Sequence, residues 1–133
     1  MLKQKITLIA RIVFGLLLLV LGLNNLLNPS DSMEFTEPAN KFMIALVETG
    51  YMMEMVYCLM VLVGLSLLIN RFVPLTLVVL IPISVNMVLF HAFLDIKSIL
   101  PSLVIGFLNI YLLFAHITSY QLLLKAKNYK GAE

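Results

Sequence analysis

Uncharged apolar runs dominate the chain. Residues 12–30, 55–70, 72–94 and 98–124 contain no Asp, Glu, Lys or Arg. The first pattern reaches back to Ile6 around Arg11, and the second to Tyr51 around Glu54. A helix needs roughly 20 apolar residues to cross a hydrocarbon core about 30 Å thick. The pattern therefore predicts spans at about 6–27, 51–70, 72–94 and 98–122. The links Asn70-Arg71 and Asp95-Ile96-Lys97 are short. The longer link between the first two spans holds Pro38, which suits a first helical turn, and Gly50, which suits a helix end. Phe42, Met43, Leu46 and Val47 give that segment an apolar face. A short helix over 38–49 is expected at the outer interface, capping the bundle. The predicted fold is all-α: one integral membrane four-helix bundle over residues 1–133.

Within the spans, polar and small residues mark the faces that meet other helices. At alternating spacings of three and four, Arg11, Gly15, Leu18, Gly22 and Asn25 fall on one stripe. Ser102, Gly106, Asn109, Leu113, His116 and Tyr120 fall on another. Span two offers Tyr57, Met60 and Gly64, with Glu54 one position off. Span three offers Ser84, His91 and Asp95, with Asn86 about 140° round from His91 on an ideal helix. Pro82 removes a backbone bond in mid-span, so a kink or broken helix is expected there. The glycine stripe reads either as packing inside the bundle or as the face of a homo-oligomer.

Composition agrees with the pattern. Apolar residues make up 62% and charged residues 12%, against roughly 45–50% and 25% in soluble domains. A soluble globular domain and a disordered chain are excluded. A net charge of +2, on scattered basic residues, excludes a nucleic-acid binder. One cysteine excludes a disulfide framework, a CxxC redox pair and a cysteine-based zinc site. Asn28-Pro29-Ser30-Asp31 reads as a turn with no small-x-small cleavage site, so the first span is expected to be retained.

Charge sets the expected orientation. With the N-terminus cytoplasmic, Lys3, Lys5, Arg11, Arg71, Lys125, Lys127 and Lys130 lie inside, and only Lys41 and Lys97 lie outside. The positive-inside rule favours this arrangement, which puts both termini in the cytoplasm. Asp31, Glu34, Glu37, Glu48, Glu54 and Asp95 then lie outside.

The candidate chemistry gathers at the outer ends. Asn25, Glu54, Tyr57, His91, Asp95 and Ser102 all fall there. His91 and Asp95 are four apart and share a helix face. A pocket between helix ends, under the interfacial helix, is expected, with His91 exchanging protons with a ligand. Arg11 lies near the opposite end and either snorkels or turns inward towards carbonyls, Tyr120, a phosphate or an anionic ligand. His91, Asp95 and Glu54 form only a weak candidate metal set. The methionines around Met52, Met53, Met55 and Met60 read as adaptable packing.

Four motifs, taken in order and spacing, resemble the DoxX-like family of small four-span bacterial membrane proteins. They are Ala10-Arg11-Ile12-Val13-Phe14-Gly15 leading to Gly22-Leu23-Asn24; Phe42 with Thr49-Gly50-Tyr51; Gly64-Leu65-Ser66-Leu67-Leu68-Ile69-Asn70-Arg71-Phe72-Val73-Pro74-Leu75; and Pro82-Ile83-Ser84-Val85-Asn86 leading to Leu89-Phe90-His91 and Asp95. The resemblance covers roughly residues 8–120. It implies a four-helix bundle with an interfacial helix after span one, set in the bacterial inner membrane. Some relatives are membrane subunits of quinone-linked oxidoreductases. Arg11, Asn86 and His91 match polar positions of the family. The family pattern often carries an acid where Met60 stands and a basic residue where Tyr57 stands, so an intrinsic redox role is weakened here.

Two functions follow as expectations. The first is a subunit of a membrane oxidoreductase that binds a quinone or lipid-like ligand through His91, Asn86, Tyr57, Glu54, Asp95, Asn25 and Arg11. It would need an electron-donating partner, because its two histidines sit about 20 Å apart along the bundle and cannot share a haem iron. The second is a non-enzymatic scaffold or small-molecule transporter working as an oligomer, with a site at Pro82, Ser84 and Asn86.

Overall fold

The computed structural model describes residues 1–28, 35–121 and 123–125. The expected turn at residues 28–31 and the charges at Asp31, Glu34, Lys127, Lys130 and Glu133 lie wholly or partly outside the described residues. The chain is all-helical, and the described residues include no strand. Five α-helices follow in order: α1 (Leu2–Leu27), α2 (Glu37–Glu48), α3 (Met52–Ile69), α4 (Val73–Leu94) and α5 (Ile99–Ala115). α1, α3, α4 and the segment Ile96–Ala115 are each long and apolar enough to cross a membrane. Only 22% of the apolar window of each is buried within the protein. Outward faces such as Ile9, Val13, Val20, Leu62, Phe107 and Phe114 stay bare. A soluble monomer rarely exposes continuous apolar surface on this scale. This is the architecture of a multi-pass membrane protein.

α1 packs against α3 and α5, and α4 packs against α3 and α5. Phe14, Leu18, Val63, Leu67, Leu77, Leu80, Ile105 and Leu112 fill the centre. The α1–α3 contact is set by glycine. A Cβ on Gly64 would stand 2.8 Å from the Gly15 carbonyl oxygen and 2.8 Å from the Leu19 nitrogen. On Gly22 it would meet a Val61 methyl at 2.8 Å and the Tyr57 carbonyl oxygen at 3.0 Å. Backbone meets backbone here, and no side chain fits between. The stripe on α1 is thus occupied inside the chain, and its buried glycines are not a free oligomer face.

Local chemistry fixes the turns. Asn70 ends α3 in the left-handed region (φ 57°), and the Arg71 N–H donates to the Ser66 carbonyl at 3.0 Å. Phe72 follows at φ 55°, and Pro74 lies in the first turn of α4. Between α2 and α3, Gly50 takes φ 76°, a value that suits glycine. There the Thr49 hydroxyl donates to the Leu46 carbonyl at 2.6 Å and accepts from the Met52 N–H at 3.2 Å, joining the two helix ends.

Two expectations change. α4 runs unbroken through Pro82 from Val73 to Leu94. Ser84 beside it is buried and accepts a 3.2 Å hydrogen bond from the Asn109 amide. The polar pair is spent joining α4 to α5, so no broken-helix site forms there. The fourth span stops at Ala115, short of 122. His116 turns its N–H to both Leu112 and Leu113 carbonyls, and a 3-10 turn covers Ile117–Tyr120. β-branched Ile117 and Thr118 favour the helix weakly. The Tyr120 hydroxyl holds the turn in place by donating to the Pro74 carbonyl at 2.8 Å.

Gly64→Ala is expected to cost roughly 2 kcal/mol in unfolding of the detergent-solubilised protein, because two backbones must separate. A Cβ on Gly106 meets only a Val88 methyl at 3.1 Å. Gly106→Ala is therefore expected to be neutral or slightly stabilising, since helix propensity is gained. Thermal unfolding of both variants distinguishes backbone contact from general crowding.

Candidate functional site

At the end of the bundle that carries α2, polar residues from every helix converge. The final turns of α1 bring Asn25. The first turns of α3 bring Tyr57, the last turn of α4 brings His91, and the start of α5 brings Ser102. α2 closes one side with Asn40, Met43 and Val47. Together with Phe35, Met53, Met60, Met87 and Phe90, they line a cavity of about 370 Å³. The lid is tied down. The Thr36 hydroxyl donates to the Leu94 carbonyl at the end of α4, and Ala39 is fully buried. The Lys41–Glu37 ion pair on α2 is exposed and adds little.

The hydrogen-bond balance shows what the cavity can offer. The Asn25 amide donates to the Leu21 carbonyl at 2.8 Å, and the Asn40 amide to the Phe35 carbonyl at 3.1 Å. The Ser102 hydroxyl donates to the Ile99 carbonyl at 2.6 Å. These three side chains spend a donor on nearby backbone. Tyr57 makes no side-chain hydrogen bond among the described residues, so its hydroxyl is free to donate. His91 Nδ1 stands 3.9 Å from Asp95 Oδ2, too far for a hydrogen bond. Both atoms are buried without a partner among the described residues. Asp95 itself is 2% exposed. His91 also packs edge-on against Phe90, with ring centres 5.0 Å apart.

A second cavity adjoins the first. It is a groove of about 620 Å³ between α2, α3 and α4, lined by Phe42, Leu46, Met52, Ile83, Asn86 and Phe93 among others. Val56, Met87 and Phe90 line both spaces. Phe90 is the partition between them: its ring meets Phe35 at 5.5 Å on the cavity side and Phe42 at 5.6 Å on the groove side.

The structure brings Asn25, Tyr57 and His91 into one cavity, with Asp95 directly behind His91. It does not bring in the other three candidates. Glu54 is exposed on α3 and lines neither space. Asn86 lies in the groove, exposed, with its amide donating to the Pro82 carbonyl at 2.9 Å. Its rotation away from His91 separates the two. Arg11 lies on α1 about 20 Å from Asn25 by helix rise. It is half-buried, and its Nε has no hydrogen-bond partner among the described residues. No three His, Cys, Asp or Glu side chains gather as a metal site among the described residues. Phe35, Asn40 and Phe90 are site residues that the sequence pattern missed. In an apolar run a phenylalanine looks the same whether it faces lipid or a cavity. Only its position beside His91 could have marked Phe90.

Compared with family models, curated proteins and solved structures, the chain finds no match.

Asp95→Asn removes the buried charge and keeps the shape. It is expected to raise resistance to thermal unfolding by about 1 kcal/mol, because Oδ2 is buried without a hydrogen-bond partner among the described residues. A comparable fall in the unfolding midpoint would show that its surroundings satisfy the charge.

Proposed function

We propose that this is a DoxX-like protein of the bacterial inner membrane that binds a quinone-like ligand as a subunit of a membrane oxidoreductase complex. Both termini are cytoplasmic, and α2 lies at the outer interface. The observation that carries the reading is the shared cavity of Asn25, Tyr57 and His91, set among apolar side chains beneath α2. Sites for small ligands are of this kind: mostly apolar, with a few convergent polar groups.

A quinone presents a flat apolar ring with two carbonyl acceptors, and its reduction to the hydroquinone takes up two electrons and two protons. Tyr57 and His91 supply the donors that orient those carbonyls. His91 delivers protons at the ring, with the Asp95 carboxylate 3.9 Å behind it. Methionine and phenylalanine side chains exclude water from the ring. The electrons come from an oxidoreductase partner, because the chain's single cysteine cannot form a dithiol pair. His91 and His116 lie at opposite ends of the bundle and cannot ligate one iron.

Mass spectrometry of gently solubilised protein is expected to find ubiquinone or menaquinone bound, and His91→Ala is expected to lose it. Tyr57→Phe removes one hydrogen bond of about 1 kcal/mol and is expected to weaken retention about fivefold. Wild-type protein that carries no quinone overturns the proposal. Orientation has its own test. In a Cys58→Ser background, Lys41→Cys is expected to react with an impermeant maleimide from outside the cell. Lys125→Cys is expected to react only after the membrane is opened. Both reacting from the same side would refute the topology.

A further inference from the structure

We propose that the ligand is a single-tailed lipid that enters sideways from the bilayer, its uncharged head in the cavity and its tail in the groove between α2, α3 and α4, with Phe90 as the gate. This rests on the reading above for the head and adds the seat of the tail and the route of entry.

Three observations carry the inference. The two spaces share a wall of Val56, Met87 and Phe90. A molecule that spans them must therefore change from polar to apolar at Phe90. The cavity side offers Tyr57, His91, Asn25 and Asn40, whereas Asn86 is the groove's one polar side chain among the described residues. Second, the groove rim is bare: Phe42 is 47% exposed, Leu89 46% and Phe93 81%. It opens on the same apolar surface that the spans present to lipid, so a hydrocarbon tail reaches it without crossing water. Third, no Lys or Arg lines the cavity among the described residues. Phosphate heads are held by such residues, so a phospholipid head is unmatched there. At about 370 Å³ the cavity is near the lower end of the range for small-ligand sites, and it suits one compact head. Phe90, held between Phe35 of the lid segment and Phe42 of α2, must move to join the two spaces.

The test uses two probes on the purified full chain at equal mole fraction in micelles: a benzoquinone without a tail, and the same ring with a ten-carbon tail. Both are expected to bind, the tailed one at least tenfold tighter. Leu46→Trp and Ile83→Trp, which fill the groove from two different helices, are expected to abolish that tenfold gain and leave tailless binding unchanged. If the tailless ring binds and the gain survives both variants, the route is overturned while the head site stands. If neither probe binds, the head site itself fails, and the route with it. A tailed quinone with a photoreactive group at its tail end repeats the test on unaltered protein. It is expected to label the α4 segment containing Leu89 and Phe93; labelling confined to α1 or α5 would overturn the groove assignment.

Discussion

The approach of α1 to α3 at glycine is the constraint on which the other features rest. In a bilayer, burying apolar side chains between helices gains little, because lipid tails are equally apolar. Association must come from close packing. Gly15, Gly22 and Gly64 let two backbones touch, with carbonyl oxygens where a Cβ would stand. This contact seats Leu18 and Leu67 at the centre of the core, against which α4 and α5 complete the bundle. Most of each helix then remains free to face lipid.

The same contact places the cavity. The backbones are tight at Gly22, against Val61 and Tyr57. From that point outward α1 contributes Asn25 to the lining, and α3 contributes Met53, with Leu21 and Tyr57 at the contact itself. The small-residue seam has ended there, and larger side chains hold the helices around a space. α2 and Phe35 cover it, fastened by Thr36 to the last turn of α4. The cavity is thus a consequence of where the glycines stop.

Much of the fold was legible because a bilayer leaves few alternatives. Every backbone polar group in a span must pair within its own helix, so run length nearly determines each element. The stripes were equally readable: Gly15, Leu18, Gly22, Ser102 and Asn109 are buried where their spacing placed them. The end of α5 was less readable, because apolar composition continues past Ala115 although the helix does not. What stops it is a backbone event at His116, with Tyr120 anchored to Pro74, and neither has a hydropathy signature. Asn86 and His91 were separable by helix angle, whereas Glu54 required knowledge of which way α3 faces. The broken helix expected at Pro82 does not form, because a missing hydrogen bond does not by itself break a helix whose neighbours hold it. Ser84 and Asn109 tie α4 to α5 two residues further on.

The buried polar groups divide into two kinds, and the division locates chemistry better than polarity alone. Asn109 with Ser84 and Tyr120 with Pro74 are pairs whose hydrogen bonds join elements of the bundle. Such groups stabilise the fold. Tyr57, His91 and Asp95 are different. His91 Nδ1 and Asp95 Oδ2 are buried without a hydrogen-bond partner among the described residues and face each other at 3.9 Å, with the Tyr57 hydroxyl in the same end of the bundle; Arg11 Nε is a further such atom, at the opposite end. Leaving polar groups unmatched in an apolar setting costs stability. A fold that carries two such atoms side by side, next to a cavity and under a fastened lid, holds unused bonding capacity where a guest can meet it. By the same reasoning Asn25 and Asn40, which spend a donor on nearby backbone, shape the cavity more than they grip what enters it.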